Sequence, residues 1–80
     1  MHDDTLGKRI RLVRSLRGMS QSEVCRLADV DRNNYRIIER GEGQPTVPTL
    51  QAIARALGVT CGHLLGEQPL TALLDEVSHA

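Results

Sequence analysis

Between Ser20 and Gly41 the chain carries start and stop signals for two short helices, with room for only a tight turn between them. Ser20 followed three residues later by Glu23 is a capping box, in which the hydroxyl accepts from the Glu23 amide and the carboxylate reaches back to the Ser20 amide. Val24, Leu27 and Ala28 fall on the inner face of the helix this opens. Asp29 stands where the chain must reverse, and Asp tolerates a left-handed backbone better than most residues other than Gly. Val30 is placed to plug the core from the turn. Asp31 is a good N-cap for a helix over 32–40, and Gly41 suits the C′ position after it. Tyr35 and Ile38 face inward from that helix, which turns Arg32, Asn33, Asn34 and Arg36 outward. Helices this short are marginal alone, so the pair demands a helical frame.

The flanking sequence supplies one. Leu6, Ile10 and Val13 mark the inner face of a helix over 5–17, with Gly18 as its C-cap. Thr46 caps a fourth helix with Val47 and Pro48 in its first turn, where Pro is tolerated. Leu50, Ile53, Ala54 and Leu57 form its buried stripe, and Gly58 ends it. Thr60 opens a short fifth helix holding Leu64 and Leu65, closed by Gly66. Pro69 can begin a last helix with Leu70, Leu73, Leu74 and Val77 on one side. Eighty residues with no Trp or Phe and one Tyr leave an aliphatic core, which suits packed helices. The organisation expected is a flexible stretch over 1–4, one all-α domain over 5–66, and a C-terminal helical segment over 67–80.

The formal net charge is zero, but its layout is uneven. All ten Lys and Arg lie between Lys8 and Arg55, against five acids within 5–66. That leaves the body at +5 and the flanks, with Asp3, Asp4, Glu67, Asp75 and Glu76, at −5. A basic body with acidic ends fits a polyanion-binding surface better than the total does. No apolar run is long enough to span a membrane, the polar acidic N-terminus is no secretory signal, and two Cys make no disulfide framework. A cytoplasmic protein with reduced thiols is expected. Cys61-Gly62-His63 lacks the ligand count of a zinc site, and no catalytic set stands out, so neither metal, cofactor nor enzymatic activity is expected.

Leu6-Gly7-Lys8-Arg9-Ile10-Arg11, Gly18-Met19-Ser20-Gln21, Ala28-Asp29-Val30, Ile38-Glu39-Arg40-Gly41, Pro45-Thr46 and Ala54-Arg55-Ala56-Leu57-Gly58-Val59 together resemble the Cro/CI-type (XRE family) helix-turn-helix domain. The resemblance covers about Leu6 to Leu65 and implies the five-helix, phage-repressor-like (lambda repressor-like) fold. It implies sequence-specific binding to a double-stranded DNA operator, usually as a homodimer, with helix 32–40 in the major groove. By position, Arg32, Asn33, Asn34 and Arg36 match base-facing residues; Arg can pair with guanine and Asn with adenine. Ile37, where the family usually has a polar residue, is a candidate for a thymine methyl or a protein interface. Gln21 and Arg40 match phosphate-contacting positions. Arg14 and Glu39 match a pair that ties the first helix to the third, a structural ion pair taken at the modest value of an exposed one. Cys25 and Cys61 fall where the family packs small or apolar residues. Glu42 and Gly43 stand where the family often has Lys or Arg, which predicts a modest salt dependence.

Leu12 and Leu16 form a second apolar pair on the first helix, unusual for the family. With Leu70, Leu73, Leu74 and Val77 they predict either docking of the C-terminal segment within the chain or dimerisation. The rival functional reading is a protein-interaction module, such as an antitoxin, that holds a toxin or another regulator and binds DNA weakly.

Overall fold

The computed structural model describes residues 5–71 and residue 73. Among the described residues five elements follow in order: α1 (Thr5–Leu16), α2 (Gln21–Ala28), α3 (Arg32–Glu39), α4 (Val47–Leu57) and α5 (Cys61–Leu65). Among the described residues there is no strand. The phage-repressor-like all-α architecture expected from the sequence is the one observed.

Local chemistry sets most boundaries. Ser20 Oγ accepts from the Glu23 amide at 3.1 Å, and the Ser20 amide donates to Glu23 Oε1 at 3.0 Å. Asp29, the one described non-Gly residue with positive φ, ends α2 at φ 55°, ψ 49°. Asp31 Oδ2 accepts from the Asn34 amide and Thr46 Oγ1 from the Thr49 amide, so α3 and α4 start where their caps predict. Gly58 ends α4 in the left-handed region at φ 71°, where a Cβ would be strained. The sequence expectation runs one residue long at two helix ends: Arg17 and Arg40 lie just past α1 and α3. Their amides still bond back to the carbonyls of Val13 and Arg36.

The core is a single aliphatic cluster with one aromatic. Ile10, Val13, Val24, Tyr35, Ile53 and Leu64 are fully buried, and Cys25, Ala28, Ile38, Leu50, Ala54 and Leu57 nearly so. The α2 helix packs mainly on α4, while α1 lies against α3 and α5. Leu27, expected on the inner face of α2, is 53 % exposed. The helix is eight residues long, so Val24, Cys25 and Ala28 already fill the contact with α4 and α3, and Leu27 falls on its rim. Cys25 takes the inward position instead. Burial raises the Cys25 thiol pKa, against a smaller lowering by Arg32, so the thiol stays protonated as a small core group.

Two side chains of α1 tie down other helices by their exposed carbonyls. Arg17 Nε donates to Leu57 O at 3.0 Å and Nη2 to Gly58 O at 3.2 Å, at the end of α4. Arg9 Nε donates to His63 O at 2.9 Å and Nη2 to Gln68 O at 3.1 Å, beyond the end of α5. A cation at a helix C-terminus satisfies orphan acceptors and the negative end of the dipole together. Leu73 is 2 % exposed and Leu70 packs beside the core, so this part of the C-terminal segment docks within the chain. Leu74 and Val77 lie outside the described residues. Leu12 and Leu16, at 54 % and 44 % exposure, remain on the surface.

The α1–α3 crossing depends on Gly7. A Cβ there would come within 2.6 Å of Ile38 O and closer still to Glu39 O. Backbone cannot yield as a flexible side chain would, so this is a backbone-to-backbone contact that no other residue permits. Gly7→Ala is expected to lower stability by about 1–3 kcal/mol, read as a reduced urea midpoint with an unchanged slope.

Candidate nucleic-acid interface

The α3 helix is divided by its own sequence. Tyr35, Ile38 and Glu39 face inward, and Arg32, Asn33, Asn34 and Arg36 are exposed. Three of the four outward residues lie in the N-terminal half of the helix, and Arg36 lies just beyond it. Arg32 is steadied there, with Nη2 donating to Ser22 Oγ of α2 at 2.6 Å. The two helices therefore present one continuous polar surface. Ile37 is half-buried: its Cγ2 lies 2.9 Å from where a Gly43 Cβ would stand. It supports the loop after α3, whose Glu42 amide bonds to Ile37 O at 3.1 Å, and leaves only part of its surface beside the polar residues.

Behind this surface lies a carboxylate that the sequence reading undervalued. Glu39 is 5 % exposed, so its pair with Arg14 is buried rather than superficial. Arg14 Nε donates to Glu39 Oε2 at 2.8 Å and Nη2 to Oε1 at 3.3 Å, a two-pronged contact. Arg14 Nη1 also donates to Met19 O at 3.1 Å, which fixes the chain entering α2. Gln21 Nε2 donates to Glu39 Oε1 at 3.1 Å. Three segments thus converge on one carboxylate. Burial alone would push the Glu39 carboxyl up, but the hydrogen bond from Arg14 and the neighbouring Tyr35 and Gln21 outweigh it and hold its pKa below the usual carboxylate range. The Tyr35 hydroxyl is buried without a well-formed hydrogen bond, and burial first, then the adjacent Glu39, raises its pKa far above that of a free phenol.

This network qualifies the role expected of Gln21. Its side-chain amide is engaged with Glu39, which leaves one Nε2 proton as a remaining donor. Arg40 is partly engaged as well: its Nε sits 3.1 Å from Glu42 Oε1, both side chains being well exposed. The charge layout needs a matching correction. Three of the ten cations, Arg9, Arg14 and Arg17, serve carbonyls or a buried carboxylate within the fold. Sequence reasoning missed the roles of Arg9, Arg17 and Gly7 because no local pattern marks them. Each acts on a partner at least 30 residues away.

The helix-turn-helix family (HTH_3) matches residues 8–64. The chain belongs to the helix-turn-helix family. An immunity repressor of Bacillus phage phi105 is 35 % identical over 66 residues, covering 82 % of this chain and 46 % of the repressor, so the chain spans under half of that relative. The crystal structure of the restriction-modification controller protein C.AhdI from Aeromonas hydrophila has a TM-score of 0.72 at 28 % identity, over 75 % of this chain and 91 % of that one. A structure of the SinR protein/SinI protein complex gives 0.76 at 27 % identity, over 92 % and 75 %. This helix-turn-helix family is one of DNA-binding transcriptional regulators rather than enzymes.

The depressed Glu39 pKa makes stability depend on pH in one direction. Its folded pKa lies below the unfolded value of about 4.3, so its contribution is complete above that pH and is lost as pH falls through the folded value. Glu39→Gln is expected to cost about 1.5–3 kcal/mol at neutral pH, the range for hydrogen bonds to a charged group. In urea unfolding the gap between variant and parent narrows as pH is lowered to about 3, below the usual carboxylate range.

Proposed function

We propose that this helix-turn-helix chain is a transcriptional regulator of the cytoplasm that reads a double-stranded operator as a homodimer. The α3 helix enters the major groove, with Arg32 and Asn33 addressing base edges and Asn34 beside them. Arg36 borders the base and phosphate faces, and the exposed part of Ile37 is available to a thymine methyl. Gln21 and Arg40 address the backbone. The observation that carries this reading is the one-sided α3: its polar half is exposed while its other half is clamped to the core through Tyr35, Ile38 and Glu39. A reading helix needs both properties, because a bidentate contact is worth about 1–3 kcal/mol only if the donor is correctly placed.

Sites selected from random duplex DNA provide the test. An Arg32→Ala, Arg36→Ala variant is expected to lose about 10- to 100-fold in affinity for the selected site, or more, and to relax its sequence preference. Unchanged affinity in a folded variant sinks the proposal.

Pairing of two copies is assigned chiefly to Leu12 and Leu16, apolar side chains left at the surface, and Leu74 and Val77, outside the described residues, are further candidates from the sequence pattern. Deleting the segment from Pro69 is a poor test, because Leu73 belongs to the core. Replacing Leu12 and Leu16 by Gln leaves the core intact. Sedimentation equilibrium should then report a monomer where the parent is dimeric. The second reading, a module that holds a toxin or another regulator, draws on the same exposed leucines and on a structural relative solved as a protein–protein complex.

A further inference from the structure

Arg11 of α1, Arg36 of α3 and Arg40 just past α3 line one cleft of about 240 Å³, with Arg14, Gln21 and Glu39 completing its lining. The three outer arginines are exposed. Glu39, the one acid lining this cleft, is held by Arg14 and Gln21 and has a lowered pKa. Its negative charge is therefore matched within the fold, and the surplus charge of the cleft is positive. The cleft lies where α1 crosses α3, beside the polar surface of α3 but on its C-terminal side. An arginine's planar fork matches phosphate oxygens, and three of them around one concavity suit an anion bound by its oxygens rather than a base edge. A fourth charge lies next to them: Glu42 Oε1 sits 3.1 Å from Arg40 Nε.

We propose that Arg11, Arg36 and Arg40 form a clamp for a backbone phosphodiester of duplex DNA, and that Glu42 competes with that phosphate for Arg40. This deepens the operator-reading proposal and rests on it. Arg11 is thereby a contact residue contributed by α1. Arg36, at the border of the base and phosphate faces, serves the clamp as well as the reading surface. Glu42 sets the strength of the clamp. Because Arg40 and Glu42 are both well exposed, their pairing is weak, and an approaching phosphate can displace the carboxylate. The Arg40 contact then develops only on DNA, with Glu42 left as an unpaired neighbour that lowers its worth.

The experiment measures affinity for a labelled mixed-sequence duplex from about 50 to 200 mM salt, where backbone contacts dominate and the slope of log affinity against log salt counts neutralised phosphates. Each phosphate contact contributes about 0.9 to the slope, which corresponds to roughly eightfold in affinity near 0.1 M salt. Arg11→Ala is expected to shallow the slope by about one unit and weaken binding uniformly across sequences. Glu42→Gln should do the reverse, strengthening binding and steepening the slope. Both positions are exposed, so urea midpoints should match the parent. The double variant Glu42→Gln, Arg40→Ala should lose the gain, which shows that Glu42 acts through Arg40. A selected site separates the two levels of the argument. A parent that prefers one sequence, with variants whose slopes do not move, overturns the clamp and leaves operator reading intact. A parent that binds neither duplex overturns both. Slopes that move as stated, with sequence preference unchanged, establish the clamp.

Discussion

Glu39 is where the architecture and the recognition surface meet. A carboxylate this deeply buried is tolerable only if charged and polar partners replace the water it has lost. Those partners come from three places: Arg14 in α1, Gln21 at the start of α2 and, electrostatically, Tyr35 one turn back in α3. Satisfying one charge therefore sets the relative positions of three helices. The Arg14 contact to Met19 O adds the linker before α2 to the same arrangement. Gly7 makes it geometrically possible, because only a residue without Cβ lets α1 come close enough to the C-terminal carbonyls of α3.

Under the proposed function, the consequence is rigidity where reading requires it. The α3 helix is only eight residues long, too short to hold its shape alone. It is capped by Asp31 at one end, anchored by Glu39 at the other and filled beneath by Tyr35 and Ile38. The exposed half can then carry polar residues without destabilising anything, since none of them packs in the core. Its neighbour Ile37, half-buried against the loop at Gly43, connects the polar surface of α3 to the segment that holds Glu42. Substitutions in that loop therefore bear on the support of α3 and, under the proposed clamp, on the backbone contact as well.

The fold was legible where the governing interactions are local. Caps span three residues, left-handed turns need one Asp or Gly, and helical faces repeat every three or four positions, so four of the five helix starts and nearly every core position could be read directly. The N-terminus of α1 was set by periodicity alone. Leu27 was misassigned because periodicity gives a face but not its width; the packing of α2 against α4 decides which edge residue is left outside. The candidate site was legible in part. The outward polar residues of α3 followed from the inward Tyr35 and Ile38. The engagement of Gln21 with Glu39, and of Arg40 with Glu42, depends on side-chain directions that spacing does not carry.

Charge shows the same division. The sequence by itself determined that the cations cluster in the body of the chain, that two short helices meet at Asp29, and that an aliphatic core joins five helices. Tertiary structure alone decided which cations remain for a partner. Arg9, Arg14 and Arg17 are spent on carbonyls and a carboxylate at the far ends of other elements, whereas Arg11, Arg36 and Arg40 are brought to one cleft from two separate segments. A residue's type and local period follow from its neighbours in the chain. Whether its charge is satisfied depends on distances between groups far apart in sequence, and those distances exist only once the helices have packed.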